Sequence, residues 1–339
     1  SQTSLTTRPM LTFDAAPKSR QDEGMRKPRF KRVKPKSALQ LREGGFQVLE
    51  LLHQFKALRS HHIAMHLPHR HERGLLHSLR NLFDHGLIDK VDELRRFNAL
   101  YQHDTYTLSK KGRDALVGRD LPDCFVPSDG ALGFRLNHEW DHSMMIIDLI
   151  SNLVAGAQKR GVRPISAEEI AQQSTMTQSF IFHRKSVYTD RKTRQVVPYT
   201  VVPDGLIGFQ YPNGKSAFFA IEAEHNKPNS RVDDEDPKSS QTSTRKKFMQ
   251  YRDIDWRRVY DNLGIKNMRV LVVAPTPTQI ENKFAVGRSV VKQSHLFLGH
   301  WLPIVSGEDV PTLPQIFDAP WLRIGLPSEQ INATTLRAD

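Results

Sequence analysis

Two apolar runs around one tight turn, residues 203–225, constrain this chain more than any other stretch. They read Pro203-Asp204-Gly205-Leu206-Ile207-Gly208-Phe209, a turn at Pro212-Asn213-Gly214, then Phe218-Phe219-Ala220-Ile221-Glu222-Ala223-Glu224-His225. β-forming side chains on both sides of Asn-Gly specify a hairpin, because that dipeptide accepts the positive φ angles hairpin turns need. Alternate strand residues share a face. Glu222 and Glu224 therefore lie side by side, and Asp204, at the start of the partner strand, sits across from them. Three carboxylates repel each other unless a hard cation joins them. Mg²⁺ and Mn²⁺ take such oxygen donors, and metal-assisted phosphodiester cleavage uses sites of this kind. The bland alternative is three solvated acids at strand ends.

The charge balance says what such a site would meet. The 339 residues carry a net charge of +12, with a sequence pI near 9.8. That favours a polyanionic partner, nucleic acid first and an anionic membrane surface second. No apolar run approaches the ~20 residues that span a bilayer, and the first residues lack the apolar centre of a signal peptide. The single cysteine, Cys124, excludes an internal disulfide framework and a cysteine-based zinc site. A reducing cytoplasm is the expected compartment.

Residues 1–38 read as a disordered basic arm, poor in aliphatics and rich in Pro, Ser, Lys and Arg. Ten basic and three acidic residues lie between Arg8 and Lys36. The cluster around Arg26, Lys27, Arg29, Lys31 and Arg32 suits phosphates or a minor groove; a merely solubilising tail is the alternative. Residues 39–118 read as a winged helix-turn-helix. Phe46, Leu49, Leu52 and Phe55 mark one helical face over Leu41 to Phe55. A second helix runs from Ser60, an expected N-cap, to Leu67. A third starts near Pro68 and stops at Gly86. Leu87 to Val91 and Thr105 to Leu108 are the expected wing strands, with a closing helix from Lys110 to Leu116. In such a fold the third helix enters the major groove, so His69, Arg70, His71, Arg73, His77 and Arg80 are the expected DNA contacts. His62 and His66 have helical ligand spacing, but Cys or carboxylate partners are lacking.

Residues 119–134 read as a Pro- and Gly-containing linker. A second domain over 135–326 opens with a helix from Leu136 to Arg160, on which His142 and Asp148 suit capping or inter-domain hydrogen bonds. Its sheet is expected to contain Tyr199–Asp204, Leu206–Tyr211, Ala217–Glu222 and Arg269–Ala274. Residues 229–244 read as a mobile loop, followed by a helix whose cationic first turns include Lys246 and Lys247. Residues 276–292 suit a further helix, 296–326 a Trp- and Pro-containing closing segment, and 327–339 a C-terminal tail. No repeat or phosphate-cradling glycine loop occurs.

The pattern Pro203-Asp204-Gly205, Glu222-Ala223-Glu224, Lys247-Phe248-x-x-Tyr251 and Val270-Leu271-Val272-Val273 resembles the PD-(D/E)XK nuclease superfamily. In its full extent, roughly residues 40–295, it resembles the replication-relaxation family of plasmids and integrative elements. The resemblance implies an α+β or α/β protein: a winged helix, then a nuclease-like domain with a mixed central sheet flanked by helices. It implies Asp204, Glu222 and Glu224 as Mg²⁺ or Mn²⁺ ligands and catalytic residues. Glu224 stands where the superfamily has lysine, and Lys227, Lys246 and Lys247 are the nearest substitutes. Lys246 and Lys247 are the expected stabilisers of transition-state charge. Glu168 or Glu169 is a candidate fourth acid. The implied function is a metal-dependent endonuclease or nickase acting on double-stranded DNA of a mobile element. The alternative is a non-enzymatic DNA-binding accessory or regulatory protein with a degenerate nuclease-like domain. Other replication, mobilisation or recombination proteins and a second copy of the chain are the partners this implies, in bacterial cytoplasm without membrane association.

Overall fold

The computed structural model describes residues 30–91, 104–127, 140–174, 180–190, 192–224, 227–236, 241–302 and 315–332. The N-terminal unit contains α1 (Glu43–Phe55), β1 (Ala57–Arg59), α2 (Ser60–His66), α3 (Glu72–Asp84), β2 (Ile88–Lys90), β3 (Thr105–Leu108) and α4 (Lys110–Ala115). Its three strands form an antiparallel sheet in the order β1-β3-β2. The apolar stripe expected on the first helix is realised, with Val48, Leu49, Leu52 and Phe55 buried. The third helix begins later than expected. His71 is its N-cap, accepting from the Arg73 N–H, so His69 and Arg70 precede the helix. Its end is as expected: Gly86 has φ +75°. There Gly86 N–H reaches Phe83 O and Leu87 N–H reaches Leu82 O, the paired bonds of a Schellman stop. Ser60 is the first residue of α2 and not its cap.

The second part is built on a six-stranded sheet, ordered β11-β10-β9-β8-β7-β4. The strands are β4 (Arg163–Ile165), β7 (Gly205–Gln210), β8 (Ser216–Ala223), β9 (Arg269–Ala274), β10 (Ser294–Trp301) and β11 (Leu322–Ile324). The pairs β4–β7, β7–β8 and β10–β11 are antiparallel, and β8–β9 and β9–β10 are parallel. Around them lie α5 (Trp140–Lys159), α6 (Ala167–Gln172), α7 (Thr244–Arg252), α8 (Trp256–Leu263), α9 (Pro277–Val290) and α10 (Gln315–Asp318). The parallel steps need crossovers: α7 and α8 carry the chain from β8 to β9, and α9 from β9 to β10. The fold is thus mixed α/β with a mixed sheet flanked by helices.

The strand expected at Tyr199–Asp204 does not join this sheet. Among the described residues β5 (Phe182–Thr189) and β6 (Val196–Val201) form a separate two-stranded sheet, with one isolated bridge from Arg184 to Ile254. Residues 296–326 contain two sheet strands, where the sequence shows only Trp and Pro spacing. Three further boundaries move, the first through hydrogen bonds and the other two through apolar burial. The arm expected over 1–38 is docked from residue 30 on, with Val33 N–H on Asp84. In the expected linker, Phe125 and Val126 are buried, Phe125 stacks on Phe55, and both N–H groups donate to Gln54 O. In the expected tail, Ile331 is fully buried and its carbonyl accepts from Tyr211. A single apolar cluster runs from α1 and α3 through α5 into the sheet.

Candidate functional site

The hairpin register sets the carboxylate patch. Gly205 pairs with Ile221, which puts Asp204 opposite Glu222, as alternation requires. Glu222 and Glu224 follow at the end of β8, and Glu224 N–H still bonds Val273 O on β9. α7 lies over this end and brings Lys247 and Tyr251. α9 brings Lys283, and α5 brings His142.

Each acid is held differently. Asp204 Oδ2 accepts from Ala223 N–H at 2.9 Å and meets His142 Nε2 at 3.1 Å. Burial opposes its charge, but His142, Lys227 and Lys247 outweigh it and hold its carboxyl well below the usual carboxylate range. Glu222 Oε1 accepts from Tyr251 at 2.6 Å and from Lys247 at 3.0 Å. Burial raises its pKa; Lys247 opposes that rise, and Asp204 adds to it. Glu224 accepts from Lys227 at 3.2 Å and from Thr244 at 2.7 Å. Lys283 completes its shell at 3.5 Å. Burial acts against the Glu224 charge, and Lys227, Lys283 and Thr244 overcome it, so its pKa falls. Lys227 is the shared cation, 3.2 Å from Glu224 and 3.8 Å from Glu222. Burial would lower its pKa, yet the three carboxylates raise it above the normal lysine value.

This geometry corrects several expectations. The acids converge, and both Glu224 oxygens are already met, Oε1 by Lys227 and Oε2 by Thr244 and Lys283. Among the described residues no group of three or more His, Cys, Asp or Glu side chains is arranged for a metal ion. Asp204 and Glu222 are the pair whose carboxylates a divalent cation would meet here. Glu222 Oε2 is buried without a hydrogen-bond partner, the kind of atom that asks for a missing water or ion. Lys246 donates to the Asp236 carbonyl, so Lys227 and Lys247 supply the cations nearest the acids. Glu168 and Glu169 are elsewhere: Glu168 accepts from Cys124 N–H and Glu169 pairs with Arg163. Lys283 was missed by sequence reading. The signal exists, since Ile280, Lys283, Phe284 and Gly287 form one buried helical stripe on α9.

The expected DNA contacts divide in the same way. His69, His71, Arg73 and His77 are exposed. Arg70 is turned inward, donating to Gly44 O at 3.0 Å and Ser78 Oγ at 2.8 Å. Arg80 grips both Asp84 oxygens and the Lys31 carbonyl. Arg32 donates to Phe83 O and Ile88 O, pairs with Asp89, and covers the Phe83 ring. These three arginines bind other parts of the chain, with 44% of the Arg32 side chain still exposed. Lys31 is exposed; Arg26, Lys27 and Arg29 lie outside the described residues. At the junction of the two parts, Asp148 on α5 meets Arg59 at 3.1 Å and His62 at 3.5 Å.

A small helical unit with a three-stranded sheet, fused to a mixed α/β sheet that gathers lysines and carboxylates at one end, defines a two-part α/β protein. The chain belongs to the replication-relaxation family, whose model matches residues 49–265, more than half of its length. No curated protein and no solved structure matches it. No helix among the described residues is long and apolar enough to cross a membrane.

Proposed function

We propose that this chain is a double-stranded-DNA-binding protein that acts in the replication or relaxation of a plasmid or other mobile element, in the bacterial cytoplasm. Family membership supports the setting. The observation that carries the binding role is the outward face of α3, where Arg73 and His77 stand exposed on a helix clamped by Leu75, Leu79 and Leu82. Three helices against a small antiparallel sheet are the element set of a winged helix, whose third helix reads the major groove. The net charge of +12 suits the partner. Anisotropy titrations on duplex DNA test it. Arg73→Ala with His77→Ala should weaken binding by roughly 1–3 kcal/mol for each base-reading side chain removed. Unchanged affinity in that double variant sinks the assignment.

A second reading, Mg²⁺- or Mn²⁺-dependent endonuclease or nickase, is favoured by the buried Glu222 oxygen that lacks a hydrogen bond, beside Asp204. With α6, the β5–β6 hairpin and α8 taken as insertions, the order α5-β4-β7-β8-α7-β9 also follows the helix and strand order of the PD-(D/E)XK core. In this reading Asp204 and Glu222 hold the ion, which would supply Lewis-acid activation of water and phosphate. Lys227, beside both acids, is the residue placed to meet a phosphate oxygen, the role that sequence reading gave to Lys246 and Lys247. Supercoiled plasmid with Mn²⁺ decides it. Nicking by the wild type that disappears in Asp204→Ala and Glu222→Gln supports the enzyme; intact plasmid in every case leaves a DNA-binding protein alone.

A further inference from the structure

We propose that the β5–β6 hairpin is a second duplex-DNA contact, an arm that grips phosphates beside the carboxylate patch. The inference rests on the DNA-binding reading above.

The base of the hairpin is fixed. Phe182 and Val201 are buried. Lys185 N–H donates to Asp253 O, and Asp255 N–H donates to His183 O. Arg184 pairs with Asp253 at 3.1 Å. These bonds tie the base to the α7–α8 junction, next to the helix that carries Lys247 and Tyr251. Only two residues separate the end of β6 from Asp204. The arm and the patch are thus neighbours by construction.

Beyond that base the ribbon stands away from the core. No third strand joins it among the described residues, and Val187 and Val196 are 57% and 67% exposed. A lone two-stranded ribbon is marginal in water, so an exposed one with apolar side chains implies a partner surface. Charge selects the partner. Residues 184–194 hold five Lys or Arg and one Asp. Asp190 is used inside the turn, accepting from Lys192 N–H, Thr193 N–H and Thr193 Oγ1. Lys185, Lys192 and Arg194 are exposed and make no ion pair among the described residues.

The tip is also shaped in an unusual way. Arg194 has φ +60°, a conformation that favours glycine or asparagine. The turn holds it there through Arg194 N–H on Asp190 O and Asp190 N–H on Gln195 O. A bulky cation kept at a glycine-type position on a tip needs a reason beyond the turn itself, and a phosphate supplies it. The dimensions agree. At about 3.3 Å per residue, Arg194 reaches at most ~33 Å from Asp204, about one helical turn of B-DNA. A two-stranded ribbon also fits the major groove.

The test uses the full chain and a duplex of about 30 base pairs, titrated across a salt series. The variant Lys192→Ala with Arg194→Gly removes two of the three cations that the sequence has between β5 and β6, and glycine relieves the positive φ, so its melting temperature should hold or rise. The slope of log K against log salt should become shallower by about 1.8, two phosphate contacts at ~0.9 each. A loss of melting temperature together with affinity would mean a structural role and overturns the arm. An unchanged slope, while Arg73→Ala still weakens binding, overturns the arm and leaves the DNA reading standing. A loss seen on single strands or RNA but not on duplex overturns it as well. Should the wild type bind no duplex at all, both fall together. A Val187→Thr, Val196→Thr variant with an unchanged salt slope is the expected control. If it alone abolishes binding, the surface is apolar and the proposal fails.

Discussion

The carboxylate patch and the outer face of α3 are both rich in charge, and they are built in opposite ways. In the patch, Glu222 and Glu224 are 1–2% exposed and each is met by cations or hydroxyls from a different element. On α3, Arg73 and His77 face solvent. Burial with saturation makes a charge part of the architecture, because an unpaired buried ion is prohibitively expensive. Exposure without internal partners leaves a charge available to something else. The same division runs inside each region: Glu224 is locked while Asp204 stands at the mouth, 18% exposed on its side chain, and Arg70 is tied down while Arg73 is free of the core.

The harshest way to break this contrast is Glu224→Ala. It strands Lys283 and Lys227 in a buried setting, and a fall of about 3–5 kcal/mol in urea unfolding is expected. A fall under ~1 kcal/mol would mean that the patch is not architectural.

The junction between the two regions sharpens the contrast through pH. Burial pushes the His66 pKa down to about 4, with a hydrogen bond to Gln158 opposing. Its neutral form is favoured in the fold. That stability is complete above the unfolded value near 6.5 and is lost as pH falls towards 4, up to about 3 kcal/mol. Asp148 works the other way: burial raises it to about 6 against the pull of Arg59, so acidification through the same window relieves a penalty. The two partly cancel in the wild type. His66→Gln should therefore melt relatively higher at pH 5 than at pH 7.5, and Asp148→Asn relatively lower. Calorimetry at both values checks the opposed signs.

Arg70→Ala against Arg73→Ala is the gentler comparison. The first removes two hydrogen bonds that span α1 and α3 and should lower stability by about 1–2 kcal/mol, leaving the salt dependence of DNA binding unchanged. The second should do the reverse. A fall of about 1–2 kcal/mol is likewise expected of Asp204→Ala, which removes the part-buried acceptor of the Ala223 N–H and of His142. A larger drop there would put Asp204 with the architectural acids.

Much of this was legible in the sequence, for local reasons. The Asn-Gly turn and two apolar runs fixed the β7–β8 hairpin and the position of Asp204 across from Glu222. Helical spacing of apolar residues fixed α1, and Gly86 fixed the end of α3. What was not legible depended on distant partners. Nothing near Arg70 in the chain announces Gly44 as its acceptor, and nothing near Glu224 announces Lys283. β10 was hidden because Ser294-His295-Leu296 opens it with mixed polarity, and it is recognisable as a strand only once β9 stands beside it. The proline at 68 drew the start of α3 too early, because a fixed φ suits a loop residue as well as a first helical turn.

The apolar cluster shared by α1, α3, α5 and the sheet has a consequence for how the molecule would measure DNA. Two modules on a flexible string tolerate any spacing between the sequences they touch. Here the α3 face and the Asp204 end of the sheet are set by one body of packed side chains, so their separation behaves like the gap of a caliper. Inserting half a helical turn between the two contacted segments of a duplex would swing one of them to the far side of the DNA, where this protein could not follow.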